Sequence, residues 1–221
     1  MKLKKIASLA LAGIMAVSML AGCKDGTSQE DPSSSSQVPT TANVVTYAND
    51  ALTGAQKNVY TFHDNSALNQ ALQAVATDKN KCTAQKIENA YTKYTWETQD
   101  ADLRGDVKGK LDGGLTFKDA YGTFDDSSVP ENNGKTLNYI EVSILSGELS
   151  EKAVAEITAK YFAKYMSQLA DTADDSNGVE HALSYSADIS AIKVESPQNS
   201  AKTAWVVAVM ITKTATQQAN A

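Results

Sequence analysis

Thr203-Ala204-Trp205-Val206-Val207-Ala208-Val209-Met210-Ile211-Thr212 is apolar on both faces that a strand presents. A strand half-exposed to water alternates apolar and polar residues, whereas one covered on both sides does not. This run is therefore expected at the centre of a sheet. Lys202 and Lys213 bracket it as charged gatekeepers. Ser196-Pro197-Gln198-Asn199-Ser200 before it is turn chemistry. It joins the run to a preceding strand, His181–Val194, as a hairpin with a loop of about six residues. In that strand Leu183, Tyr185, Ala187 and Ile189 alternate. The phase slips before Ile192 and Val194, which reads as a bulge.

Further back lies the best helix pattern in the chain, Ser150–Ala170. Ser150 suits the N-cap and Glu151 the first turn. Val154, Ile157, Tyr161, Phe162, Tyr165 and Leu169 form its apolar stripe. The turn Asp171–Gly178 ends it. Before it, Leu137–Leu145 reads as a strand with Ile140, Val142 and Ile144 on one face and Leu137, Tyr139 and Leu145 on the other. The order is strand, helix, strand, strand. A helical crossover lets the first two strands lie parallel, right-handed if so. The expectation is one α+β domain with a mixed or antiparallel sheet and about three helices.

The first half is less regular. Val59-Tyr60-Thr61-Phe62 is a short β-prone run. Asp64 or Asn65 caps a helix over Asp64–Asp78, with Leu68, Leu72 and Val75 at helical spacing. A second helix runs from Thr83 to about Tyr94, and Tyr94-Thr95-Trp96 either extends it or opens a strand. Residues 99–136 are punctuated by glycine. So long a structureless loop is uncommon in a compact domain, so short strands or a helical turn near Phe117–Tyr121 are expected there.

Residues 1–22 have the parts of a signal peptide in order: Lys2, Lys4 and Lys5, then an apolar run from Ile6 to Leu20, then small residues. The run ends Leu20-Ala21-Gly22-Cys23, which resembles the lipobox of bacterial lipoproteins. The resemblance implies cleavage before Cys23, a diacylglyceryl thioether on its sulfur, and often a third acyl chain such as palmitate on its amine. Two or more chains hold a protein stably on a membrane. It implies a cell-membrane, extracytoplasmic address. In a Gram-positive cell that is the outer face of the membrane. In a Gram-negative cell Lys24 stands where the family carries an aspartate for inner-membrane retention, so the outer membrane is favoured. The polar, Ser-rich stretch that follows cannot bury enough apolar surface to offset its ordering entropy. Residues 23–56 are read as lipidated cysteine and flexible tether, with the domain start placed between Asn43 and Lys57. Residues 57–214 are read as the globular domain and 215–221 as a tail.

The chain carries 26 acids against 20 lysines and arginines, a net charge of −6. Loss of the leader removes three lysines and no acid, which moves the balance to about −9. Arg104 is the one arginine. No basic cluster suits nucleic acid, and a partner is expected to be neutral or cationic.

If Cys23 carries lipid, Cys82 stands alone. Cys82 with His63 or His181 and a carboxylate is the arrangement a thiol nucleophile needs, although no local signature of such families surrounds it. The acidic turns Asp125-Asp126-Ser127-Ser128 and Asp171–Gly178 lack the alternating acids and closing Glu of an EF-hand loop. No zinc or phosphate-loop motif is present. No cofactor is expected. Tyr91, Tyr94, Trp96, Tyr161 and Tyr165 are suited either to a core or to a groove for glycan or peptide. The function expected is a non-enzymatic binding module of the cell envelope contacting a glycan, peptide or protein. A small extracellular hydrolase using paired carboxylates or Cys82 is the alternative.

Overall fold

The computed structural model describes residues 41–96, 99–111, 113–119, 129, 136–167 and 169–217. These fall within a unit spanning Gln37–Ala221. Numbered along the chain, the elements are α1 (Thr41–Asp50), α2 (Gly54–Lys57), β1 (Phe62–His63), α3 (Ser66–Ala76), α4 (Ala84–Ala90), α5 (Ala101–Lys110), β2 (Thr136–Ser146), α6 (Glu151–Met166), β3 (Thr172–Asp174), β4 (Glu180–Ser196) and β5 (Asn199–Gln217). The sheet order is β1-β4-β5-β2, with β3 also on β4. β1 is parallel to β4, and the other pairings are antiparallel. The domain is α+β with a mixed sheet.

The doubly apolar run does lie centrally, in β5 between β4 and β2. Its odd positions, Trp205, Val207, Val209 and Ile211, face a core closed by α1 and α6. Its even positions, Val206, Ala208 and Met210, face a second core closed by α3, α4 and α5. β2 divides as its pattern predicts, with Tyr139 and Leu145 on the first face and Ile140, Val142 and Ile144 on the second. β2 and β4 run in the same direction but do not pair, because β5 inserts between them.

Several expectations are corrected. β4 and β5 are longer than their apolar cores, and Ser196 pairs with Asn199, so the hairpin loop is Pro197-Gln198. The β4–β5 register is continuous past Ile192, with one shift at Glu195/Ser196. The slip in the pattern marks which face is covered. The middle of β4 is buried through Ala187, Ile189 and Ala191 on the first face, while Ile192 joins the second core. Lys213 is no gatekeeper. It sits inside β5, opposite Leu137 and Tyr185, and is buried. Ala215 is buried in the same strand, so the expected tail at 215 is partly sheet.

Packing also begins before residue 57. Val44 and Ala48 of α1 are fully buried. The Asn49 side chain donates to the Phe62 carbonyl at 2.8 Å and accepts from the Phe62 N–H at 2.8 Å, tying α1 to the sheet edge. α5 lies inside the region read as irregular. Its glycines disguise it, but Asp100 caps it, Asp102 sits in its first turn, and Lys108 and Lys110 in its last. Those charges complement the helix dipole. Leu103 and Val107, four apart, supply the buried stripe.

The free edge of β2 is covered by passing chain. The Ser146 N–H donates to the Lys93 carbonyl and the Asp100 N–H to the Val142 carbonyl. Lys118 N–H and Thr116 O bond Asn138. This blunting satisfies groups that would otherwise template pairing with another chain.

Candidate functional site

Segment 91–96 leaves α4 and runs along the end of β2. Ser146 Oγ donates to the Tyr91 carbonyl at 2.8 Å, which pins the start of the segment. The turn it makes divides the aromatic residues into two groups. Tyr91 and Tyr94 stay at the surface, 38% and 46% exposed. Trp96 passes round the sheet edge and is buried against α6.

The inner group is built on α6 and β2. The Trp96 ring stacks on Tyr161 at 5.3 Å and meets Phe162 edge-on at 5.3 Å. Tyr161 in turn meets Tyr165 at 5.2 Å. Trp96 and Tyr161 border Glu141, which is 6% exposed. Trp96 Nε1–H donates to Glu141 Oε2 at 3.2 Å, and the Tyr139 hydroxyl donates to Oε1. Burial raises the Glu141 pKa above the ordinary range, while the Tyr139, Trp96 and Tyr161 donors and the Arg104 cation oppose that rise. Burial likewise raises Tyr139 and Tyr161, with the Glu141 charge adding to it. Glu141 went unremarked in the sequence, although a signal was there. It is an acid on the strand face that also carries Leu137, Tyr139 and Leu145. A buried carboxylate needs such donors, and three aromatic side chains meet that need.

The outer group shares a different acid. Tyr91 donates to Glu148 Oε1 at 2.6 Å, and Tyr94 donates to Oε2. The two donors hold the Glu148 carboxyl below the ordinary range, and the tyrosines are raised in return. Glu148 sits in the turn between β2 and α6, so one carboxylate fixes both hydroxyls while the rings remain in solvent.

The thiol-nucleophile constellation does not assemble. Cys82 is buried in the second core with α3 and α4, and no hydrogen bond links it to either histidine. Burial pushes its thiol up to about 11, away from reactivity. His63 is exposed and pairs with the Thr61 hydroxyl at 3.0 Å. His181 is buried, with Nε2 at 3.3 Å from Asp175 Oδ2. The second acidic turn is closed internally. Asp175 Oδ1 accepts from the Asn177 and Val179 N–H groups, and Gly178 takes φ 74°. Among the described residues no group of His, Cys, Asp or Glu could hold a metal ion. Cys23 and the turn Asp125–Ser128 lie outside the described residues. No described helix is long and apolar enough to cross a membrane.

Two open grooves lie on the surface of the described residues. One, about 630 Å³, lies between α4 and α5 and neutralises itself: Lys81 pairs with Asp106 at 2.7 Å, and Lys86 with Asp100 at 2.6 Å. The other, about 470 Å³, lies between α2 and α6. No protein-family model, curated protein or solved structure matches this chain.

Proposed function

We propose that this protein is an extracytoplasmic lipoprotein, held at the cell membrane by lipid on Cys23, whose domain is a non-enzymatic binding module of the cell envelope. The lipobox resemblance supports the address. The tyrosine pair carries the binding reading. Large side chains with few rotatable bonds contribute contact area at low entropic cost, most of all when already fixed. Glu148 fixes Tyr91 and Tyr94 before any ligand arrives. Their exposed faces suit stacking on a sugar ring or on the side chains of an envelope peptide.

The hydrolase alternative has less to stand on. Glycoside hydrolysis uses two carboxylates facing one bond. Glu141 is enclosed by aromatic donors, and the charged group acting on it is Arg104 rather than a second acid.

Two experiments test the proposal. Cys23→Ser should abolish palmitate incorporation and membrane retention, and a variant that stays labelled and bound refutes the address. Tyr91→Ala with Tyr94→Ala should weaken binding to peptidoglycan fragments or envelope peptides by about tenfold or more, the equivalent of about 1.4 kcal/mol. Unchanged binding, or turnover of those polymers by the wild type, refutes the binding reading.

A further inference from the structure

We infer that the groove between α2 and α6 is a site for a phosphate-bearing anion, with Lys160 and Lys164 as its cationic wall. The floor is Ala159 and Ala163, and Thr53 and Gln56 face them across the groove. No acid lines it, in a chain where acids outnumber bases. Neither lysine has an ion-pair partner among the described residues. Glu156, one turn before Lys160, is the partner of Lys152 at 3.9 Å. Two like charges four apart on a helix repel each other weakly, and an anion between them relieves that repulsion. The groove between α4 and α5 shows the opposite arrangement, each lysine being matched by aspartate.

The facing wall reinforces the sign. Thr53 and Gln56 form a reciprocal cap: Gln56 N–H donates to Thr53 Oγ1 at 3.3 Å, and Thr53 N–H donates to Gln56 Oε1 at 2.8 Å. One lone pair of each side-chain oxygen is thereby occupied. The Thr53 hydroxyl proton and the Gln56 amide protons remain to be donated. Ser167 adds a hydroxyl at the end of α6. A concavity of this size bearing two ammonium groups and several donors but no carboxylate fits a group rich in acceptor oxygens. Lysines without an arginine fork act as point charges, which suits phosphate. This site stands apart from Tyr91 and Tyr94, so its failure and that of the tyrosine surface are separately visible.

The source is a soluble phosphate compound or a phospholipid headgroup, and two arms of one experiment separate them. Full-length protein in neutral detergent is labelled with an amine-acylating reagent, with and without inorganic pyrophosphate, at ionic strength matched by chloride. In parallel it is labelled in phosphatidylcholine vesicles with and without phosphatidylglycerol. Protection of Lys160 and Lys164 by about threefold or more, with Lys110 unchanged, is expected in at least one arm. Pyrophosphate protection identifies a soluble ligand, and protection by phosphatidylglycerol alone identifies the headgroup. Lys160→Gln with Lys164→Gln should abolish pyrophosphate or phosphatidylglycerol binding, while Tyr91→Ala leaves it intact. Equal labelling of both lysines in every condition overturns the inference.

Discussion

Glu141 shows how one side chain sets the chemistry of its surroundings. Burial raises its pKa above the ordinary glutamate value of 4.5. A carboxyl raised in the folded state loses its proton more readily once unfolded. Its contribution to stability is therefore complete below pH 4.5 and is lost as pH rises through the folded value. Wild type should lose stability relative to Glu141→Gln as pH rises above 4.5, read as urea midpoints at each pH. Asp188 is raised by burial too, but it is present in both proteins, so the difference isolates Glu141. Identical pH dependence of the two proteins would sink the assignment.

Among the elements, α5 is the clearest case of caps and charges outweighing propensity. A glycine inside a helix costs about 1 kcal/mol relative to alanine. A Cβ on Gly109 would meet open space. Gly109→Ala should therefore stabilise the domain by about 1 kcal/mol in denaturant unfolding. Gly147, after β2, is the contrast. A Cβ there would collide with the backbone and hydroxyl of Thr203. Gly147→Ala should destabilise by about 1–3 kcal/mol, because rigid backbone must move. If both alanines gave the same sign, the local packing at one of these sites would be misassigned.

The whole molecule depends on a sheet covered twice. Val207 is fully buried in β5, between Ser143 of β2 and Ala191 of β4. Val207→Asp would bury an unpaired charge under α1 and α6. It should cost about 4 kcal/mol or more, enough to unfold a domain of ordinary stability. A folded, cooperatively melting variant would show that the face is not closed. The C-terminal unit was legible because its residues carry local information. Alternation in β2 named both faces, the doubly apolar run named the central strand, and Ser150 with the following stripe placed α6. The cap of α3 was readable as Asp64 or Asn65 for the same reason, and it is Asn65: the capping side chain and the N–H groups it accepts from are neighbours in sequence.

What lay beyond the sequence depends on partners distant along the chain. The apolar residues of α1 became core only because Asn49 meets Phe62 and α6 closes over them. α5 needed β2 and the second core to outweigh its glycines. Glu141 met Tyr161 because α6 packs on that face and Trp96 because segment 91–96 rounds the sheet edge, and the same bend left Tyr91 and Tyr94 outside on Glu148. Strand phase, caps and the lipobox are patterns within a few residues, and sequence alone expresses them. Strand order, the covering of the β2 edge and the sharing of a carboxylate by two tyrosines are set by which surfaces bury best against each other, and only the tertiary structure decides that.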